Sequence, residues 1–128
     1  MTYSVILKSV IKVLALAGSM LVLTGQAAYA ADNVKVAYIP CGQINDGSWS
    51  QAGYEGVKEA QGALAKDGIK MTISYSENLS PSKAEAAARD YASRGFQTVV
   101  LHCGTFADAA YHAGKDFPKT NFLITVAQ

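Results

Sequence analysis

The sequence predicts a three-layer α/β fold, in which a parallel sheet of four strands in the order 2-1-3-4 carries helices on both faces. Two observations lead to this prediction. The apolar positions switch repeatedly between the two-residue period of a strand and the longer period of a helix. Strands also alternate with helical segments of ten or more residues, and such alternation indicates right-handed connections within a parallel sheet.

The first strand is predicted at residues 34–39, where strand-forming residues run together. A helix follows Ser48, because Ser48 and Gln51 have the spacing of a capping box, and it ends before Gly68. Residues 70–75 alternate between apolar and polar positions and predict the second strand. The apolar and small residues of the helix share one face: Trp49, Ala52, Gly53, Gly56, Val57, Ala60 and Leu64.

The second half of the chain repeats this alternation. A helix begins at Pro81, with Ser80 as its cap. Residues 98–101 are a continuous apolar run, as expected for a strand covered on both faces. A third helix is predicted to begin around Thr105, and residues 121–126 are predicted to form the fourth strand.

In this strand order the first and third strands are neighbours. The loops that leave their carboxyl ends meet at a switch point, where open α/β sheets bind ligands. Residues 40–49 form the first loop, which carries an acid, an amide, hydroxyls and the only Trp of the chain, and residues 102–106 form the second. The residues that we expect to contact a ligand are Asn45, Asp46, Trp49, Ser50, Thr105, Phe106 and Asp108.

These side chains favour a small neutral solute with hydroxyl or ring N–H groups. The carboxylates of Asp46 and Asp108 only accept hydrogen bonds when they are ionised. Helix N-termini at the same edge would favour an anion, but the two acids beside them argue against a doubly charged one. Trp49 and Phe106 have aromatic faces that suit stacking on a flat ring or a sugar.

Each of these residues also has a purely structural alternative. Asp108 and Ser48 suit helix caps, since acids and serines are common in first turns. Trp49 and Phe106 suit core positions, because large aromatic residues are usually mostly buried. Asp46 in an Asn-Asp-Gly sequence suits a turn. The sequence alone leaves these alternatives open.

No catalytic or cofactor signature accompanies the two loops. The glycine-rich patterns of dinucleotide and phosphate sites and the G-x-S-x-G pattern are absent, so we expect neither an enzyme nor a cofactor. His102 and His112 have no second ligand at metal spacing, so we expect structural roles for them and no metal. Beyond residue 30 the chain has 9 Lys and Arg against 10 Asp and Glu, a net charge of −1 that does not favour nucleic acid.

Cys41 and Cys103 are the only cysteines, and each follows the end of one of the two neighbouring strands. Their Cα atoms are therefore candidates for the bridging range of roughly 4.4–6.8 Å, and export would permit a disulfide. The alternative is a pair of buried thiols that pack as small hydrophobic groups. The sequence leaves both interpretations open.

Residues 1–30 have the pattern of a secretory signal peptide. Lys8 and Lys12 supply the positive region, residues 13–23 supply the apolar run, and cleavage is predicted after Ala30. The alternative is an uncleaved anchor helix, although the run is shorter than the roughly 20 residues of a membrane span. Gln26 stands where a lipoprotein would have its lipidated Cys, so we expect a periplasmic or secreted protein without a lipid anchor.

Six segments, in order, are similar to a known family. They are residues 34–39, Ile44-Asn45-Asp46-Gly47-Ser48-Trp49-Ser50, Tyr75-Ser76-Glu77-Asn78, residues 84–95, Gly104-Thr105-Phe106-Ala107-Asp108 and Ala113-Gly114-Lys115-Asp116-Phe117-Pro118. The chain resembles in these segments the basic membrane protein (BMP-type) family of ABC-transporter substrate-binding proteins, which have the type I periplasmic binding protein fold.

The resemblance implies an extracytoplasmic protein that captures a small solute such as a nucleoside or sugar and delivers it to the permease of an ABC importer, without bond chemistry. It also implies that Asp46 hydrogen-bonds the solute and that Trp49 stacks on it. Thr105, Phe106 and Asp108 match the second loop of the family's cleft. Cys41 and Cys103 are not part of the family pattern.

Family members have two lobes that close on the ligand, whereas residues 31–128 are expected to form only an N-terminal lobe that is incomplete after its fourth strand. We therefore expect a fragment or a truncated product, with one wall of the cleft and reduced affinity. Two alternatives remain. One is a periplasmic enzyme or regulator on a flavodoxin-like sheet, since fold does not fix function, and the other is a nonfunctional truncated binding protein.

Overall fold

The computed structural model describes residues 33–126. The predicted signal peptide, residues 1–30, lies outside the described residues. In chain order the elements are β1 (Val34–Pro40), α1 (Trp49–Lys66), β2 (Met71–Tyr75), α2 (Pro81–Ser93), β3 (Thr98–His102), a 3-10 turn (Gly104–Phe106), α3 (Ala107–Asp116) and β4 (Asn121–Ile124).

The four strands form one parallel sheet in the order β2-β1-β3-β4. The predicted α/β fold and strand order are therefore confirmed. Pro40, the last residue of β1, pairs with His102, the last residue of β3. On the other side of β1, Tyr38 pairs with Tyr75 of β2. The carboxyl ends of β1, β2 and β3 consequently lie side by side, at the edge where a ligand site is expected.

The main hydrophobic core lies between the sheet and helices α2 and α3. Alternation along the central strands directs every second side chain of β1 and β3 toward these helices. The helices contribute many alanines, whose small side chains allow close approach to the sheet. The fully buried members of this core are Ala37, Ile39, Ala84, Ala88, Val99, Leu101 and Ala113.

Helix α1 covers the opposite face of the sheet. Ser50 is its only buried residue, and part of the predicted apolar face, including Ala52, Gly56 and Ala60, is exposed. One helix cannot cover a face four strands wide, and Leu123 of β4 is accordingly 49% exposed. Within residues 33–126, no helix has the length and apolar character needed to span a membrane.

The predicted side-chain caps are not formed. Ser48 precedes α1 and Ser80 precedes α2 as expected, but neither side chain makes a capping hydrogen bond. The third helix begins at Ala107 rather than after Thr105. The reason is that residues 104–106 first form a 3-10 turn, which directs the ring of Phe106 into the core.

Candidate functional site

Three loops meet at the carboxyl edge of the sheet, after β1, β2 and β3. The sequence predicted the first and third of them. The loop after β2 joins them because the carboxylate of Glu77 accepts the N–H of Ile44 at 2.8 Å. The N–H of Ser76 also donates to the carbonyl oxygen of Tyr38 at 3.1 Å. The loop after β2 therefore fixes the position of the loop after β1.

Asp46 holds the start of helix α1. Its Oδ1 accepts the N–H groups of Ser48 at 2.8 Å and Gln51 at 3.0 Å, and its Oδ2 accepts that of Ser50 at 3.2 Å. The first N–H groups of a helix have no partner within the helix, so Asp46 takes the role that the sequence assigns to Ser48. Gln51 completes the turn by accepting the N–H of Gly47 at 2.9 Å.

These hydrogen bonds favour the ionised form of Asp46. The N–H of Gln51 has the largest effect, followed by the contacts of Ser48 and Ser50, and together they lower the pKa of Asp46 below its ordinary value of 3.8. Asp46 is also exposed at the edge of the sheet. Its carboxylate therefore stays charged at neutral pH and lies open to solvent.

The indole of Trp49 forms a flat platform on the imidazole of His102. The two rings are stacked, with centroids 4.3 Å apart and planes 15° from parallel. One face of the indole contacts the imidazole, and the residue as a whole is 40% exposed. This exposure does not fit the core alternative for Trp49.

His102 is buried, and both of its ring nitrogens form hydrogen bonds. Its Nε2 lies 3.0 Å from the carbonyl oxygen of Trp49. Because a carbonyl oxygen can only accept, Nε2 carries a proton. Its Nδ1 contacts the hydroxyl of Thr125, which donates to it when the ring is neutral. The orientation of the imidazole is therefore fixed, and the platform above it is fixed as well.

Tyr38 lies beside His102 on the face of the sheet that α1 covers. Its hydroxyl donates to the carbonyl oxygen of Ser50 at 2.8 Å, and its ring centroid is 5.4 Å from that of His102. Burial, and to a smaller extent the charge of Asp46, raises the pKa of Tyr38 above its usual range. The hydroxyl therefore remains a donor and ties the first turn of α1 to β1.

Cys41 and Cys103 form a disulfide that joins the loop after β1 to the loop after β3. They follow the paired residues Pro40 and His102, and their Cα atoms are 5.1 Å apart, within the usual range for a disulfide. Cys103 is buried, whereas Cys41 is exposed.

Two of the predicted ligand-binding residues are buried. Phe106 is 1% exposed and belongs to the core, because the 3-10 turn directs its ring inward. Ser50 is 2% exposed, and its Oγ accepts the N–H of Gly42 at 3.1 Å. Neither side chain is open to a solute at this edge, so both are removed from the predicted set.

The other predicted residues are exposed at the edge. The hydroxyl of Thr105 lies 3.2 Å from Sγ of Cys103 and must be the donor, since a disulfide sulfur carries no hydrogen. Asp108 lies in the first turn of α3, where its charge complements the helix dipole. The exposed members of the predicted set are Asn45, Asp46, Trp49, Thr105 and Asp108.

A known family matches most of the chain. The family model Bmp, described as ABC transporter substrate-binding protein PnrA-like, matches residues 33–128. The chain belongs to the Bmp family. No curated protein sequence matches it at a significant level.

Two solved structures are similar to the Bmp-family chain. The solute-binding protein of an ABC transporter system from Conexibacter woesei DSM 14684 is 32% identical with a TM-score of 0.60, and the match covers 70% of this chain and 28% of that one. A fragment from Peptoclostridium difficile 630, described as a lipoprotein, is 15% identical with a TM-score of 0.57, covering 73% of this chain and 72% of that one. At 15% identity the second structure shows the fold alone, and the chain spans 28% of the first structure's length.

One groove on the Bmp-family chain lies away from the predicted site. A groove of about 520 Å³ lies at the amino end of the sheet, lined in part by Phe96, Phe117 and Pro118. We assign the site to the carboxyl edge instead, because ligands of open α/β sheets bind there. Among residues 33–126, no three His, Cys, Asp or Glu side chains lie close enough to hold a metal ion.

Sequence reasoning about the Bmp-family chain omitted Glu77 and did not connect His102 with the first loop. Glu77 was missed although it follows β2, whose carboxyl end lies at the same edge as that of β1. His102 was given only a structural role. Its position at the end of β3, beside β1, was the signal that could have placed it near the first loop.

Proposed function

We propose that the chain forms one wall of a solute-binding cleft in an ABC import system and captures its solute reversibly, without making or breaking bonds. The proposed solute is a small neutral molecule with hydroxyl groups and one flat face, such as a nucleoside or a sugar. The observation that carries the proposal is the exposed Trp49 ring on its His102 support at the carboxyl edge. Membership of a family of substrate-binding proteins supports it.

A flat aromatic ring that is held from behind suits stacking. The imidazole of His102 occupies one face of the Trp49 indole, and the solute would stack on the open side. Stacking of a nucleobase on an aromatic side chain is worth about 1–3 kcal/mol. Because the two hydrogen bonds of His102 fix the platform beforehand, little conformational freedom is lost when a solute arrives.

The polar groups around the platform indicate which polar groups the solute should carry in addition to its flat face. Asp46 and Asp108 present carboxylates, which accept hydrogen bonds when ionised, and Asn45 presents an amide that can both donate and accept. Such a set suits hydroxyl donors, as on ribose or glucose. The two negative charges would repel a phosphate group, so a phosphorylated solute is disfavoured.

The proposed partner is the membrane permease of an ABC importer, and the proposed location is outside the cytoplasm. Family membership supports both statements. The Cys41–Cys103 disulfide fits an oxidising compartment, where such bonds form and persist.

Titration of the protein with adenosine, guanosine, ribose and glucose tests the solute class. Trp49 is the only Trp of the chain, so a base or sugar that stacks on it should change the indole emission directly. The melting temperature should rise with the same solute, because a ligand of the native state stabilises it by RT ln(1 + [L]/Kd). Orthophosphate is the control and should change neither signal.

Trp49→Ala should weaken binding of the active solute by about 1–3 kcal/mol. Binding to this variant is measured from the melting temperature, because the variant has no Trp. Tyr111→Ala is the matched control, since Tyr111 is also an exposed aromatic residue but lies on α3, and it should bind as the wild type does. Unchanged affinity of the Trp49 variant, binding of orthophosphate, or no response to any solute would contradict the proposal.

A further inference from the structure

The two cysteines of the disulfide differ in exposure. Cys41 lies exposed in the first loop, whereas Cys103 is 5% exposed and belongs to the core. Thiol exchange requires a thiolate to reach the sulfur that it attacks. We therefore expect an external thiolate to attack the sulfur of Cys41 rather than that of Cys103.

We propose that Cys41 is a thiol-exchange site, at which a dithiol reductant opens the disulfide and separates the two loops of the solute-binding wall. A thiolate of the reductant attacks Sγ of Cys41, and the bond to Cys103 breaks with its electron pair leaving on Cys103. The second thiolate of the reductant then attacks the reductant sulfur of the mixed disulfide and releases Cys41. The protein gains two electrons and two protons, and the dithiol becomes a disulfide.

Thr105 favours Cys103 as the leaving group. Its hydroxyl donates to Sγ of Cys103 at 3.2 Å, and negative charge develops on this sulfur as the bond breaks. A thiol whose thiolate is stabilised leaves faster. Burial of Cys103 directs attack to Cys41 but disfavours a thiolate on Cys103, and the hydrogen bond from Thr105 offsets part of that cost.

The consequence for binding rests on the proposed solute-binding function. Gly42, which follows Cys41, donates its N–H to Oγ of Ser50 at 3.1 Å, and Ser50 follows Trp49 in the first turn of α1. The disulfide thus holds the loop of Trp49 against the loop of Thr105. Reduction removes this restraint, so we expect solute affinity to fall on the order of tenfold through lost preorganisation.

Incubation of the folded protein with reduced glutathione, followed by alkylation with N-ethylmaleimide and digestion with trypsin, tests the exchange site. Trypsin places Cys41 in the peptide of residues 36–58 and Cys103 in the peptide of residues 95–115. Mass spectrometry should find glutathione on Cys41 in an excess on the order of tenfold over Cys103. Equal amounts of glutathione on the two cysteines, or attachment of glutathione only in urea, would overturn the proposal.

Two variants test the leaving group. Thr105→Val removes the hydroxyl and should slow the appearance of the mixed disulfide by about threefold or more. This factor corresponds to the net free energy of one hydrogen bond. Thr105→Ser keeps the hydroxyl and should retain the wild-type rate. Equal rates for the two variants would show that the hydroxyl does not assist departure of Cys103.

The coupling to binding is measured separately. The solute that changes Trp49 emission is titrated before and after reduction with dithiothreitol, while circular dichroism monitors the helices. Equal affinity of the two forms, or loss of the helical signal on reduction, would overturn the coupling. If neither form binds any solute, the proposed function fails, whereas the exchange measured by mass spectrometry is unaffected.

Discussion

Gly53 of helix α1 lies so close to His102 that no side chain fits between them. A Cβ atom at position 53 would lie 2.6 Å from Nε2 and 2.7 Å from Cε1 of His102, well inside van der Waals contact. The missing side chain lets the first turns of α1 approach the sheet. This approach brings the carbonyl oxygen of Trp49 within hydrogen-bonding distance of the imidazole.

Gly53→Ala should therefore destabilise the protein. Overpacking of this kind typically costs about 1–3 kcal/mol, and the displaced helix should change the emission of Trp49. Gly62→Ala is the matched control in the same helix, because a Cβ there meets nothing within 4 Å and alanine favours the helix by about 0.5–1 kcal/mol. Urea denaturation followed by circular dichroism measures both. Equal stability of the two variants would contradict the close contact.

Replacement of His102 should disturb the platform directly. His102→Leu leaves the carbonyl oxygen of Trp49 without its donor, so we expect a loss of about 1–3 kcal/mol in the free energy of unfolding and an altered Trp49 emission. His112→Leu is the control, since the side chain of His112 is 54% exposed. His102→Gln supplies an amide donor in place of the imidazole, so its free energy of unfolding should fall less than that of the leucine variant. A normal Trp49 emission in the leucine variant would exclude His102 as the support.

The effect of Asp46 on stability should depend on pH. Its pKa is lower in the folded protein than the ordinary value of 3.8, so its contribution is fully present above that pH and is lost as the pH falls through the folded-state pKa. Asp46→Asn should therefore be less stable than the wild type at neutral pH, and the difference should shrink below pH 3.8. Urea denaturation over a pH series measures this.

Ser48→Ala serves as the control for Asp46. The side chain of Ser48 makes no capping hydrogen bond, so the variant should match the wild type at every pH. A Ser48 variant that is less stable than the Asp46 variant would show that the serine, and not the acid, holds the start of α1.

Loss of the disulfide should lower global stability. Cys41 and Cys103 are 62 positions apart, and the chain-entropy model gives about 4 kcal/mol for a loop of this length. The double variant Cys41→Ala, Cys103→Ala should show most of this loss in urea denaturation. Wild-type protein in dithiothreitol should lose a similar amount. Equal urea midpoints for the oxidised and reduced wild type would contradict the prediction.

The fold was predictable because its signals are local and mutually consistent. Strand β1 ends at Pro40, one residue beyond the predicted range 34–39. The first helix lies between Ser48 and Gly68, as predicted. Alternation of strands and helices then determined a parallel sheet, and right-handed connections led to the observed strand order.

The details of the site were less predictable because they depend on contacts between distant segments. The ring of Phe106 points into the core because a 3-10 turn precedes α3, which periodicity does not reveal. The stack of Trp49 on His102 joins residues 53 positions apart, and it requires the register of β1 with β3 together with the close approach of α1. Asp46 replaced Ser48 as the cap because the tight turn brought its carboxylate to the helix start.

The bond between Cys41 and Cys103 also closes residues 41–103 into a covalent ring. Helix α1, strand β2, helix α2 and strand β3 lie inside the ring, whereas α3 and β4 follow it as an open tail. A protease that cuts once inside the ring leaves a single molecule, but a cut in the tail divides it into two pieces. The two loops of the site meet at the closure point of the ring, so a single nick elsewhere in its circumference does not part them.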